Sequence, residues 1–219
     1  MSFYYPQVYQ EFLDARFTLP SLPGDHPDWH KGRRHYYCWA ISVDSDDICR
    51  RWQQAQQHYA GYLRPDYHRQ LHLTVAVCGF WQPQDLTSAH NDDFTPAMLQ
   101  RQLERLQQAE IAPFHLDVGG VNSFASAPFL EIGDDHNLLG GLRELLLLNG
   151  DDFRSSIYCP HITLGLYRDR FESSVVGADF SVAIDTMPLK LAVSSLDLLS
   201  YEASAPAAPL KLEQRVWLS

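Results

Sequence analysis

The sequence of 219 residues lacks the long apolar runs and the clustered cysteines that mark two large classes of protein. Its densest apolar patch, Leu145–Leu148, is far shorter than the ~20 residues that a transmembrane helix needs. The N-terminus carries neither a basic region nor the hydrophobic core of a signal peptide. The four cysteines show no CxxC spacing, which argues against disulfides and a zinc site. We therefore expect a cytoplasmic protein with reduced thiols and no membrane contact.

Positive charge is also scarce, since 17 Lys and Arg face 27 Asp and Glu, for a formal net charge of −10. Broad, non-specific binding to nucleic acid relies on basic surface, so this charge argues against DNA as a partner. A small anionic ligand held in a locally basic cleft is compatible with it. Fourteen of the 17 basic residues are arginine, which binds phosphate in a bidentate manner better than lysine does.

Two short runs of β-forming residues carry the same pattern, a histidine and a threonine separated by one aliphatic residue. They are Gln70–Val77, with His72 and Thr74, and Tyr158–Tyr167, with His161 and Thr163. Random placement of ten His and six Thr predicts about 0.3 such triplets, so two of them form a strong signal. Alternate side chains of a strand share a face, so each His and its Thr point the same way. Two such strands side by side predict a phosphate-sized site with two bases and two hydroxyl donors.

The order of elements repeats around the two motifs. A strand at 36–43, a helix from Ser45 to before Pro65 and the strand Leu71–Phe80 form the first unit. Further strands are expected at 114–121, 129–132, 161–167, 180–184, 189–199 and 210–217, with helices at 7–17, from Thr95 and at 137–148. We interpret residues 1–35 as an N-terminal extension. Residues 36–219 are predicted to form a single domain of two similar lobes, each contributing one motif strand to a central groove.

The residues around the motifs resemble the 2H phosphoesterase superfamily and, within it, the RNA 2′,3′-cyclic phosphodiesterases, also called 2′-5′ RNA ligases. The resemblance covers about residues 36–218. It rests on Leu71–Val75 with Gly79 and on Pro160–Leu164, and it extends to Phe114–Gly120 with Phe124 and to Leu191–Tyr201. It implies a bilobal α+β fold with two pseudo-symmetric antiparallel sheets flanking a central cleft and helices outside.

The same resemblance implies hydrolysis of 2′,3′-cyclic phosphates on RNA 3′ ends or nucleotides, without a metal, to give 2′-phosphates. Opening a cyclic phosphodiester needs a base and an acid, and two histidines suit both tasks. Thr74 and Thr163 supply donors for the phosphoryl oxygens. By resemblance His72 is the proton donor and His161 the acceptor, an order that the motifs alone do not fix. No metal or other cofactor is expected, because neither histidine has carboxylate or cysteine co-ligands at metal spacing.

Three further residues are predicted to contact the substrate. Members of the family often carry a basic residue shortly after the second motif, and Arg168 is a shifted equivalent of it. Phe124 and Tyr167 are candidates for stacking on a base, Tyr167 because it shares the face of His161. His115 is interpreted as a structural residue.

Other functions remain open at this point. They are hydrolysis of another small cyclic or 2′-5′-linked nucleotide, 2′-5′ RNA ligation, and non-catalytic nucleotide binding on the same fold. The presence of all four motif side chains argues against binding alone, which does not need them. We expect a monomer whose partner is an RNA 3′ end or a small cyclic-phosphate nucleotide.

Overall fold

A curled β-sheet organises the chain in the computed structural model, which describes residues 5–22, 24–84, 90–147, 157–180 and 185–219. The strands in these residues are β1 (His35–Ser42), β2 (His72–Trp81), β3 (Asp93–Phe94), β4 (Phe114–Ser123), β5 (Pro128–Gly133), β6 (His161–Thr163), β7 (Leu189–Val193), β8 (Ser195–Glu202) and β9 (Lys211–Trp217). The helices are α1 (Tyr5–Asp14), α2 (Pro27–His30), α3 (Asp46–His58), α4 (Pro96–Ala109), α5 (Leu138–Leu146) and α6 (Ser173–Ala178).

The strand order shows two matching halves. Hydrogen-bonded neighbours follow the order β7-β4-β5-β6-β2-β1-β8-β9, and β3 adds to β2 in parallel. The path divides at the β6–β2 pair into β6-β5-β4-β7 on one side and β2-β1-β8-β9 on the other, all antiparallel. The α+β fold with two pseudo-symmetric halves is therefore confirmed. The pairing of Leu73 with Ile162 joins the two predicted sheets into one.

The aliphatic face of the motif strands forms the core against the helices. Leu73 and Ile162 are fully buried there. Trp39 of β1 donates its Nε1–H to Gln102 of α4 across this interface, at 2.8 Å. Burying an aliphatic side chain of this size contributes about 1.5–3 kcal/mol. The packing fixes which way the strands face, so the histidines and threonines lie on the side of the sheet away from these helices.

The second motif strand is shorter than the sequence predicts. The predicted strand covers 161–167, but β6 ends at Thr163. Near the predicted end, Tyr167 forms an isolated β-bridge with Leu63. A Cβ on Gly165 would lie 3.1 Å from Leu63 Cδ1, so a larger residue would meet that side chain. The path after Thr163 is thus set by packing against residues that follow α3.

The other predicted elements differ from the structure mainly at their ends. The helix after Ser45 ends at His58, well before Pro65. The expected strand 189–199 divides into β7 and β8, which pair with β4 and β1 in opposite halves of the sheet. The sequence does not predict α2 and α6. The expected helix 137–148 is α5, and its last residue lies outside the described residues, as does most of the expected strand 180–184.

Candidate active site

The two motif strands are direct neighbours in the sheet. Leu73 of β2 pairs with Ile162 of β6 in antiparallel register. This register places His72 opposite Thr163, and Thr74 opposite His161, so the four side chains share one face. Opposed side chains of an antiparallel pair lie about 5 Å apart at Cβ, and diagonal ones somewhat farther. The histidines therefore occupy one diagonal of a compact square, and the threonines occupy the other.

Both histidines make the same hydrogen bond. His72 Nδ1 lies 2.8 Å from the Gln70 carbonyl oxygen, and His161 Nδ1 lies 2.7 Å from the Cys159 carbonyl oxygen. A carbonyl oxygen can only accept, so Nδ1 carries the proton in each ring. The Nε2 atom of each ring is therefore the one available to exchange a proton with a ligand.

The two histidines differ in burial. His72 is 8% exposed, whereas His161 is half-buried. Burial lowers the pKa of His72 to about 4, the hydrogen bond to Gln70 opposes the shift, and the charges of Arg69 and His161 add to it. His72 is therefore neutral at pH 7 in the ligand-free protein.

Aromatic rings border His161. Its ring centroid lies 5.0 Å from that of Phe124, with the rings nearly perpendicular, and 5.3 Å from that of Phe129. Phe129 is fully buried, whereas Phe124 is half-buried and keeps part of its surface open. These contacts restrict the orientation of the His161 ring and leave Phe124 as an apolar surface beside it.

Aromatic donors hold the backbone at both motif threonines. Tyr158 donates its hydroxyl to the Thr74 carbonyl oxygen at 2.9 Å. Trp52 of α3 donates its Nε1–H to the Thr163 carbonyl oxygen, also at 2.9 Å. Both carbonyls are thereby satisfied where sheet pairing is irregular, and the threonine side chains stay on the histidine face.

A further anchor stabilises the backbone beside each histidine. The side-chain amide of Gln70 makes two hydrogen bonds with the backbone of Leu210. It donates to the carbonyl oxygen at 3.0 Å and accepts from the N–H at 2.8 Å. On the other side, the Tyr5 hydroxyl of α1 accepts from Ile132 N–H at 2.7 Å and lies within hydrogen-bonding distance of the Ile132 and Pro160 carbonyl oxygens. The N-terminal helix thus reaches the residue that precedes His161.

The predicted substrate-contacting residues lie in different environments. Phe124 lies against His161, as described above. Tyr167 is fully buried, with its hydroxyl 2.7 Å from Ser123 Oγ, so its ring is not open to a ligand. Arg168 is exposed, and its N–H donates to Tyr62. The structure therefore brings the four motif residues and Phe124 together, and places Tyr167 apart from them in the core.

Three residues at the site were not found by sequence reasoning. Tyr67 interacts through its phenol with the Thr163 side chain, and burial raises its pKa. The positive charge of Arg69 helps to lower the pKa of His72. Glu131 pairs in register with His161, accepts from Asn122 at 2.7 Å, and has a pKa raised by burial. Tyr67 and Arg69 immediately precede the first motif, a position that could have singled them out.

Other kinds of site are absent from the described part of the chain. Within those ranges, no three His, Cys, Asp or Glu side chains are grouped so as to hold a metal ion. Among the same residues, no helix has the length and apolarity to cross a membrane. All four cysteines are free.

Comparison of the chain with known protein families gives one match. The model of the 2′-5′ RNA ligase superfamily matches residues 44–205, a span that includes both motifs. No curated protein sequence matches the chain.

Several solved structures share the fold. Escherichia coli LigT complexed with 3′-AMP aligns with a TM-score of 0.54 and 18% identity, covering 85% of this chain and 99% of LigT. TT0787 of Thermus thermophilus aligns with a TM-score of 0.52 and 16% identity, over 84% of this chain and 97% of that one. A structure described as a phosphoesterase aligns with a TM-score of 0.52 and 18% identity, over 84% and 99% of the two chains.

Proposed function

The chain belongs to the 2′-5′ RNA ligase superfamily, and we propose that it is a metal-independent phosphodiesterase that opens 2′,3′-cyclic phosphates to 2′-phosphates. Membership of this superfamily supports a phosphoesterase function in general. The substrate and the mechanism are our proposal. The free cysteines favour action in the reducing cytoplasm.

One observation carries the proposal: two histidines on paired strands have their Nδ1 atoms tied to backbone carbonyls. Each therefore presents Nε2 toward the same groove. A fixed tautomer leaves Nε2 of each ring free to take up or give a proton, which acid/base catalysis requires. The motif threonines lie on the other diagonal, where their hydroxyls can donate to non-bridging phosphoryl oxygens.

The proton transfers of the proposed reaction follow from these positions. His161 Nε2 accepts a proton from water as the water oxygen attacks phosphorus. The bond between phosphorus and the ribose 3′ oxygen breaks, and His72 Nε2–H protonates that oxygen. The product carries a 2′-phosphate and a 3′-hydroxyl, and solvent exchange restores both rings. The order of the two roles follows the family resemblance.

The low pKa of His72 constrains how this residue can act as the proton donor. With a pKa of about 4, His72 holds no proton on Nε2 at pH 7 in the free protein. That proton must therefore be taken up together with the substrate, whose negative charge favours the imidazolium form. Protonated His72 and neutral His161 would then coexist in the complex, as the reaction requires.

A small nucleotide suits the site better than long RNA. The net charge of −10 disfavours an extended RNA-binding surface. E. coli LigT, which shares the fold, has been crystallised with 3′-AMP, with phosphate and with NADP+. Phe124, half-buried against His161, offers one face for a base, and stacking of this kind contributes about 1–3 kcal/mol. We propose that a monomer of this chain acts on cyclic-phosphate nucleotides or short RNA 3′ ends.

The test is a substrate panel with the purified protein. It includes adenosine 2′,3′-cyclic phosphate, oligonucleotides ending in a 2′,3′-cyclic phosphate, 3′,5′-cyclic AMP and a 2′-5′-linked dinucleotide. We expect turnover of the 2′,3′-cyclic phosphates, 2′-phosphate products, and unchanged rates after exhaustive EDTA treatment. His115→Ala, which alters an exposed strand histidine, serves as the control for His72→Ala and His161→Ala.

Each alternative function has its own outcome in this panel. Turnover of the 2′-5′-linked dinucleotide alone would redirect the proposal to another substrate. Binding of nucleotides without turnover would indicate a non-catalytic module. Activity that returns only when a divalent ion is added after EDTA would contradict the metal-independent mechanism.

A further inference from the structure

Arg69 occupies an unusual position at the edge of the motif face. It lies three residues before His72, and its guanidinium carbon lies 4.1 Å from the centroid of the Tyr201 ring. This stacking fixes the plane of the guanidinium group without using its hydrogen-bond donors. The terminal N–H donors therefore remain available to a ligand.

The Arg69 side chain also has an unmet hydrogen-bonding requirement. Its Nε atom is buried and has no hydrogen-bond partner among the described residues. Five other arginines of the described chain, by contrast, are paired with carboxylates or carbonyls: Arg33 with Asp92 and Asp93, Arg64 with Asp66, Arg215 with Asp197, and Arg51 and Arg143 with backbone oxygens. A buried charged group with an unpaired donor is costly, and an anion bound at the open end of the guanidinium would offset part of that cost through its charge.

The sheet register places this guanidinium on the same face as the motif residues. Ala40 of β1 pairs with Thr74 on one side and with Asp197 of β8 on the other, so Asp197 shares the face of Thr74. Tyr201 lies four residues after Asp197 in the same strand and therefore on the same face. Arg69 stacks on that ring, which puts it on the motif face of the sheet and not in the core on the opposite face.

The neighbours of Arg69 include the reacting groups. The charge of Arg69 acts on His72 and on Tyr67, and the Tyr67 phenol interacts with the Thr163 side chain. His72 and Thr163 are opposite each other in the register of β2 and β6. A phosphoryl group held between them would therefore be next to the Arg69 guanidinium.

We propose that Arg69 binds the reacting phosphoryl group directly, through its two terminal N–H groups. This inference rests on the proposed function and adds a phosphate-binding residue to it. Arg69 comes from the segment before the first motif, whereas the sequence predicts a basic residue, Arg168, after the second. A guanidinium offers two parallel donors to two phosphoryl oxygens, a geometry that lysine does not reproduce.

The experiment compares four variants: Arg69→Met, Arg69→Lys, Arg168→Met and the control Arg170→Met. Arg170 also stacks on an aromatic ring, at 3.9 Å from Phe17, but it is exposed and outside the motif strands. Binding of inorganic phosphate is measured by calorimetry, and kcat/KM is measured with adenosine 2′,3′-cyclic phosphate. Thermal unfolding of each variant establishes that it is folded.

For Arg69→Met we expect a loss of about 100-fold in kcat/KM, since removal of one transition-state donor costs about 100- to 1,000-fold. Phosphate binding should weaken at least about tenfold, with Arg69→Lys between this variant and the wild type. In a plot of kcat/KM against pH, the limb on the acidic side should move to higher pH in Arg69→Met. The reason is that the charge of Arg69 helps to lower the pKa of His72. A purely structural role would not produce that shift. Arg170→Met should stay within about twofold of the wild type, because its side chain is outside the site.

The outcomes separate this inference from the proposed function. Phosphate binding that depends on Arg69 without turnover of cyclic phosphates supports the inference and contradicts the proposed function. Turnover and phosphate binding that Arg69→Met leaves unchanged overturn the inference, as does a large loss confined to Arg168→Met. If Arg69→Met does not fold, Arg69→Lys decides by the same criterion.

Discussion

His72 and His161 occupy matching places in two strands that are held in the sheet by different means. β2 has ten residues and pairs with β1 over seven of them, so His72 belongs to a long and regular element. β6 has three residues, and its short pairings with β2 and β5 are supplemented by side-chain donors from outside the sheet. Both strands nevertheless present Nε2 of a histidine whose Nδ1 is bonded to the carbonyl two residues before it.

The supports of β6 come from distant parts of the chain. Trp52 of α3 bonds the Thr163 carbonyl, and the Tyr5 hydroxyl of α1 lies within hydrogen-bonding distance of the Pro160 carbonyl. The lesson is that the chemistry of a pseudo-symmetric site can be duplicated while the sheet pairing that supports it is not. Side-chain donors hold both motif strands, but β2 also has an extended ladder of sheet hydrogen bonds, which β6 lacks.

The largest expected effects test whether the two halves act as one unit. We expect His72→Ala and His161→Ala each to lower kcat/KM by about 100- to 10,000-fold, because each removes one proton transfer. The double variant should be about as inactive as the single ones, because groups that act together are not additive. Steady-state kinetics with adenosine 2′,3′-cyclic phosphate provide the measurement. Multiplied losses in the double variant would mean that the histidines work independently.

The anchors of the two histidines should differ in strength. Tyr5→Phe leaves the Ile132 N–H without its acceptor and removes a donor beside His161, so we expect a loss of about 1–3 kcal/mol in unfolding free energy. It should also lower kcat about tenfold with little change in KM, because a misplaced ring weakens the transition state. Gln70→Ala should cost less in stability, since water can replace its amide.

The control for these anchors is Tyr9→Phe, because the Tyr9 hydroxyl lies 3.4 Å from the Gly177 carbonyl, at the limit of hydrogen bonding. Urea unfolding and kcat of the three variants give the comparison. Equal effects of Tyr5→Phe and Tyr9→Phe would show that α1 does not position His161.

A further prediction concerns the pH dependence of the free energy of unfolding. The folded pKa of His72, about 4, lies below the ~6.5 of a free histidine, so the unfolded state binds more protons between these values. The stability that neutral His72 contributes is complete above about pH 6.5 and is lost as the pH falls toward 4, by up to about 3 kcal/mol. His72→Asn should flatten this part of the curve. Parallel curves for the wild type and His72→Asn would contradict the burial effect.

The sequence predicts the half of the site that local patterns encode. The His-x-Thr spacing and β-propensity suffice to place His72 and His161 on one face of strands, and the repeat of elements suggests that the strands meet. The family resemblance and the fold are confirmed by the family model and the strand order.

The remaining features depend on contacts between distant residues. Tyr167 has the right parity to share the face of His161, but β6 ends at Thr163, so strand alternation no longer applies to it. The places of Arg69 and Glu131 depend on which strands become neighbours, and Tyr5 reaches Pro160 only because α1 packs against β4. The burial of His72 likewise arises from the assembled sheet, since its motif is the same as that of His161.

The division of labour between the two histidines is tested most directly by changing the leaving group. Two activity series are compared for His72→Ala and His161→Ala, one with adenosine 2′,3′-cyclic phosphate and one with a phosphodiester whose 4-nitrophenolate leaving group needs no proton. We predict that, with the activated substrate, His72→Ala recovers a much larger fraction of the wild-type kcat/KM than His161→Ala does. We also predict a 2′-phosphate product from the cyclic substrate. Equal restoration of both variants, or a mainly 3′-phosphate product, would contradict the roles assigned to the two histidines.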